Sequence, residues 1–182
     1  MSSRTSSCAA SFLLVAGILA GCSHETTKSP DVESEIRKSL DQAGYKDVSV
    51  SQDRDKGVVT LSGHVASDPD KQQAESIAKS LSVGQVVADQ TAVEPPGAES
   101  DAKDVNSDLD KGIKSNMDAA LIQNKLKQNV SFSVKNGVVT VTGSVNSQIR
   151  RNQVEKIASG VPNVQQVVNE VQVKNQKASS TN

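Results

Sequence analysis

Apolar side chains recur at Val32, Ile36 and Leu40, and again at Ile113, Met117 and Leu121. A spacing of four puts each trio on one face of an amphipathic helix. Alternation follows in both places, at Val48 and Val50 and at Val130, Phe132 and Val134, as expected of half-buried strands. Turns at Asp53-Arg54-Asp55-Lys56-Gly57 and Lys135-Asn136-Gly137 then return the chain as a hairpin, the first of them into a strand over Val58 to Val65. Asp68-Pro69 predicts an N-cap and first position of a second helix, with Ser147 the N-cap of its counterpart. That helix buries Ala74, Ile77, Ala78 and Leu81, or Val154, Ile157, Ala158 and Val161, and a last strand runs over Val86 to Val93 or Val164 to Val173. The order α-β-β-α-β, with its β-α-β piece crossing over right-handed, predicts an α+β fold. In each unit two helices cover one face of a three-stranded mixed sheet.

The two passages are one unit written twice. At an offset of 80 residues Gly57-Val58-Val59-Thr60-Leu61-Ser62-Gly63-His64-Val65 lies over Gly137-Val138-Val139-Thr140-Val141-Thr142-Gly143-Ser144-Val145. The match continues through Ser67, Gln73, Glu75, Ile77 and Ala78 onto Ser147, Gln153, Glu155, Ile157 and Ala158. The units are expected over residues 31–94 and 108–175. Residues 95–107, opening Pro95-Pro96-Gly97, read as an exposed linker, and residues 176–182 as a polar tail.

Residues 1–21 fit a targeting segment. The apolar run from Cys8 to Ala20 is too short to span a bilayer as a helix, which takes about 20 residues, but it suits the apolar part of a secretory signal. Its end, Leu19-Ala20-Gly21-Cys22, resembles the lipobox of bacterial lipoproteins. The resemblance implies cleavage before Cys22, acylation of that cysteine and a tether over residues 22–30. Two or three acyl chains hold a protein stably on a membrane where one does not.

The repeated Gly-Val-Val-Thr-(Leu/Val)-(Ser/Thr)-Gly-x-Val strand, the Ile-Ala helix after it and the valine-rich last strand resemble the BON (bacterial OsmY and nodulation) domain. Both units lack the Gly-Val pair that the family usually shows after its second helix, having Ser82-Val83-Gly84-Gln85 and Val161-Pro162-Asn163-Val164 instead. A lipobox followed by two such units resembles the dual-BON envelope lipoproteins. The resemblance implies α-β-β-α-β folds, a cell-envelope location, no chemistry and association with phospholipid surfaces under osmotic or envelope stress.

Charge separates the two units. The chain has 182 residues with 20 Lys+Arg against 21 Asp+Glu. Residues 31–94 carry −5 and residues 108–177 carry +5, so near-neutrality is a cancellation between halves. Lys111, Lys114, Lys125 and Lys127 lie on or just after the first helix of the second unit, and Arg150 and Arg151 open its second helix. These six side chains are the expected contacts to an anionic phospholipid membrane, each cation near such a surface contributing about 1 kcal/mol.

Other chemistry is sparse. With 2% aromatics and no Trp there is no platform for stacking bases, so a nucleic acid partner is not expected. Two His and two Cys cannot close a zinc site or a disulfide framework. Asp53, Asp55, Asp68 and Asp70 lack the 12-residue calcium pattern. His64 corresponds to Ser144 in the repeat, which argues for exposed strand over catalytic base. No phosphate loop, zincin helix or nucleophile elbow occurs. No enzyme, metal or cofactor is therefore expected. The chain reads as a non-enzymatic lipoprotein, anchored in the outer membrane, or alternatively the inner, and facing the periplasm, that binds phospholipid surfaces and supports the envelope. The alternative is an interaction scaffold docking an envelope protein assembly through exposed strand edges; salt separates the two, weakening only the first.

Overall fold

The computed structural model describes residues 28–174. The signal segment 1–21, Cys22, most of the tether and the tail 176–182 lie outside the described residues. The first unit runs α1 (Glu33–Gln42), β1 (Val48–Asp53), β2 (Val58–Val65), α2 (Asp68–Leu81), β3 (Val86–Asp89) and β4 (Ala92–Val93). The second runs α3 (Glu99–Gln123), β5 (Val130–Lys135), β6 (Val138–Val145), α4 (Gln148–Ser159), β7 (Gln166–Asn169) and β8 (Gln172–Val173). β1 and β2 pair antiparallel, and β3 and β4 both lie parallel to β2 on its other side. β5 to β8 repeat this order and register, β6 to β8 at an offset of 80 residues and β5 at 82, because the second hairpin turn is two residues shorter. Each unit is thus the α-β-β-α-β mixed sheet that the pattern predicts.

The apolar trios do what their spacing requires. Ile36 and Leu40 of α1 pack with Val59, Leu61, Ala74 and Ala78, all at or near zero exposure. Met117 and Leu121 of α3 pack with Val139, Val141, Val154 and Ala158. Small residues on α2 and α4 let these helices lie close to the sheet, while Ile77 and Ile157 flank the cores half-buried.

The Gly-x-Val signature has a steric cause. Gly63 and Gly143 sit at φ +100° and +125°, and a Cβ at either would strike the carbonyl oxygen of Asp47 or Asn129. That close approach lets His64 N–H donate to the Asp47 carbonyl at 3.3 Å and Ser144 N–H to that of Asn129 at 3.1 Å. Only glycine supplies both the backbone angle and the space.

Three expectations need correction. Ser67, not Asp68, is the N-cap of α2: its hydroxyl accepts from Asp70 N–H and donates to the Asp70 carboxylate at 2.6 Å, and Asp68-Pro69 fill the first two helical positions. The last strand is broken in both units. Asp89 Oδ1 accepts from the Thr91 N–H and hydroxyl at 3.1 and 2.6 Å, and Asn169 Oδ1 accepts from Val171 N–H at 3.2 Å. Such side chains compete with the ladder for backbone two residues on; the register on the neighbouring strand is nonetheless kept. Finally, residues 99–107, read as an exposed linker, are mostly exposed but helical, forming the first turns of the 25-residue α3. The Glu99 carboxylate accepts from Gly97 N–H at 2.9 Å, which lowers its pKa, and no helix breaker occurs before Gly112. The bend after the second helix is made by a left-handed residue in each unit, Gly84 in one and Asn163 in the other.

The two units dock. Val58 and Ala88 of the first form an apolar cluster with their counterparts Val138 and Val168 of the second. Lys56 Nζ reaches Glu170 at 2.8 Å, and its counterpart Asn136 donates its amide to the Gln90 carbonyl at 2.7 Å. Equivalent positions meet across the interface, so the units are related by an approximate two-fold. The Gln166 amide bridges to the β3 backbone, accepting from Asp89 N–H at 3.0 Å and donating to the Val87 carbonyl at 2.6 Å. Glu170, largely buried, holds the Lys56 ammonium above its ordinary pKa, and the Lys56 N–H holds Asp53 below its own.

Candidate functional site

The structure sorts the six expected phospholipid-contact cations into three places. Register decides the first. Val130 lies opposite Gly143, so the turn after α3 and the turn into α4 share one end of the second sheet. Lys125, Lys127 and Arg150 therefore lie at that end, opposite the end where Val138 enters the inter-unit cluster. Lys125 takes φ +56° in the turn, Lys127 pairs with Asp118 and lies 5.2 Å over the Phe132 ring, and Arg150 is exposed in the first turn of α4.

Two residues that the charge pattern did not single out share this end. Ile122 is 61% exposed and Ile149 is 82% exposed. Ile122 is the residue after core Leu121, about 100° around the helix, and Ile149 lies off the stripe defined by Val154 and Ala158. Helical phase on its own was enough to place both outside the core.

Lys111 and Lys114 are elsewhere. About 18 Å of helix, at 1.5 Å per residue, separates Lys111 from the end of α3 at Gln123, and Lys125 lies in the turn beyond it, so Lys111 and Lys114 do not share a patch with Lys125. They face the cleft between the units, beside Lys103 and Lys135. Lys111 pairs with Asp108 at 2.9 Å, both groups being exposed.

Arg151 is committed within its own unit. Its guanidinium donates to the carbonyls of Val171 and Asn169, both at 2.9 Å, bridging α4 to the break in the last strand. The equivalent Lys71 donates to the Thr91 carbonyl at 2.8 Å. This is a brace, whereas the Arg150 side chain has no ion-pair partner among the described residues.

Strand edges are partly spoken for. β3 and β7 face each other across the interface with Gln166 between them, and on β1 the Val50 carbonyl accepts from Arg37 at 2.8 Å. His64 is half-exposed with Asp47 at 3.9 Å. Among the described residues no group of three or more His, Cys, Asp or Glu is placed to hold a metal ion, and no helix is long and apolar enough to cross a membrane.

A tandem of α-β-β-α-β units docked about an approximate two-fold defines the class, a duplicated α+β repeat protein. The sequence pattern of the BON domain matches residues 29–95 and 107–175, and the chain belongs to the BON domain family, whose members are generally non-enzymatic. It is similar to osmotically-inducible protein Y of Escherichia coli (strain K12), 28% identical over 146 residues that cover 79% of this chain and 71% of that protein. Two solved structures of CdsD, a structural protein of the type III secretion system of Chlamydia trachomatis, also match over 79% of this chain. They are 19% and 15% identical with TM-scores of 0.31 and 0.35, and the match spans 66% and 92% of those chains.

Proposed function

We propose that the protein is a non-enzymatic, periplasm-facing lipoprotein, held at the outer membrane through Cys22, that binds phospholipid surfaces and supports envelope integrity or osmotic stress tolerance. Membership of the BON domain family and the similarity to an osmotically inducible protein support the stress-related, membrane-associated part. The reading is carried by one end of the second unit, which holds exposed Ile122 and Ile149 together with Lys125, Lys127 and Arg150. Cations find anionic headgroups while aliphatic side chains enter the interface, the pairing that holds peripheral proteins on lipid. At about 1 kcal/mol per cation, three give roughly 3 kcal/mol, too little for stable binding from free solution. An acyl anchor raises the effective concentration of the surface and makes that sufficient.

Cosedimentation with anionic and zwitterionic vesicles, at low and physiological salt, tests it. The protein is expected to bind the anionic set alone and to be released by salt. Lys125→Glu with Arg150→Glu, and separately Ile149→Ser, are expected to weaken binding several-fold. Undiminished binding by these variants would remove the second unit's end from the mechanism.

A further inference from the structure

The cleft between the units differs on its two sides. Two grooves of about 420 Å³ each lie between the units, with different linings. In one, the hairpin turn of the first unit faces the last strand of the second, and its cations are Lys56 and Arg151. Both are used: Lys56 on Glu170 and Arg151 on two backbone carbonyls.

The other groove is lined by Lys103, Lys111, Lys114 and Lys135. Its two carboxylates are the ones already occupied. Asp110 accepts the N–H groups of Asn136 and Gly137 at 2.8 and 2.9 Å, and Glu94 is buried beneath Lys103 at 3.5 Å. Lys114 and Lys135 have no ion-pair partner among the described residues, and the carboxylate near Lys111 is the exposed Asp108. Four ammonium groups line a concave wall with only two carboxylates among them, the arrangement that focuses positive potential into a cleft.

The early start of α3 creates this site. Lys103, Asp110, Lys111 and Lys114 fall on one face of the helix, at positions 0, 7, 8 and 11 of a 3.6-residue period. Lys103 ties that face to the first unit through Glu94, and Lys135 closes it from the hairpin of the second. Asn106 and Ser107 add neutral donors on the same wall. A tetrahedral oxyanion takes hydrogen bonds from several directions at once, and charge-assisted bonds to it are the stronger kind.

We propose that this groove is a binding site for a phosphate-bearing anion, either a soluble phosphate compound or the headgroup of a lipid drawn up to the cleft. It is separate from the Ile122–Ile149 end of the second unit and does not depend on it. Lys111 and Lys114 belong to this site rather than to the membrane-facing end.

Calorimetric titration of the full chain with inorganic pyrophosphate at low salt is the test, run beside vesicles of phosphatidylglycerol or phosphatidylcholine. One pyrophosphate per chain is expected, weakened about tenfold or more by Lys114→Glu with Lys135→Glu, which is about 1.4 kcal/mol or more. Lys114→Gln with Lys135→Gln should weaken it less, and far-ultraviolet circular dichroism checks that each variant is folded. Lys125→Glu with Arg150→Glu should leave pyrophosphate binding intact while reducing vesicle binding, so the two surfaces fail separately. Displacement of the protein from phosphatidylglycerol by pyrophosphate, lost with the groove lysines, would assign the site to a lipid headgroup. Unchanged vesicle binding by the groove variant would assign it to a soluble phosphate. No pyrophosphate binding at low salt, or equal binding by the folded groove variants, would overturn the proposal.

Discussion

The first unit carries −5 and the second +5, yet their strands pair in the same register. Sites where the backbone needs a particular side chain kept it. Gly63 and Gly143 both sit under a carbonyl, Ser67 and Ser147 both cap, and Asp89 and Asn169 both break the last strand. Charge changed where the fold is indifferent, on the exposed faces of helices and turns. Comparing the copies therefore separates what holds the unit together from what it presents outward. Lys71 and Arg151 make the point most sharply, because a pair of cations that looks like surface charge in the sequence is a brace in both units.

That comparison can be broken. The largest effect is expected at the shared glycines: Gly63→Ala and Gly143→Ala should each cost about 3 kcal/mol in urea unfolding, from the left-handed backbone and the carbonyl clash together. A large loss at one and none at the other would mean that the units are not mechanically equivalent. Next come the braces. Arg151→Ala removes two hydrogen bonds from a charged donor and Lys71→Ala one, so losses of about 2–3 and 1–2 kcal/mol are expected by the same measurement. Gln166→Ala should cost about 1 kcal/mol, leaving a donor and an acceptor of β3 unpaired, whereas the equivalent Val86→Ala, about half exposed, should cost less.

The smallest effect is at the Lys56 contact, half-exposed and screened, and worth less than about 1 kcal/mol. Its sign is defined. Lys56 has a raised pKa in the folded protein, so its contribution is fully present below the unfolded value near 10.4 and fades as pH rises through the raised one. Asp53 is shifted down, so its contribution is present above the unfolded value near 3.9 and fades as pH falls through the lowered one. Lys56→Met should flatten the alkaline side of the stability profile and also the part of the acid side that Asp53 owes to the Lys56 ammonium. Unchanged alkaline dependence would show that the contact does not persist in solution.

Secondary structure was legible because it repeats. Two copies with the same apolar phase and the same glycines leave little freedom in order or register. The helix over residues 99–107 was not legible in the same way. Pro95-Pro96-Gly97 is a true break, and the first unit has no matching described segment to constrain the residues beyond it. The candidate surface was legible as charge but not as place. Lys111 and Lys125 look contiguous in a sequence, and only the length of α3, which ends at Gln123 between them, shows that they face different things. Arg151 was hidden for a further reason, because its acceptors are backbone carbonyls 18 and 20 residues away, which carry no side-chain signature.

The approximate two-fold has a consequence for how this molecule could diversify. A symmetric homodimer must present every residue twice, so any substitution near its axis is felt on both sides at once. Covalent duplication lifts that restriction. Lys56 meets Glu170 on one side of the cleft while Asn136 meets the Gln90 carbonyl on the other, a combination that two identical chains could not hold. The two sides of the cleft accordingly differ in charge, with Lys56 and Arg151 both engaged on one and four lysines lining the other.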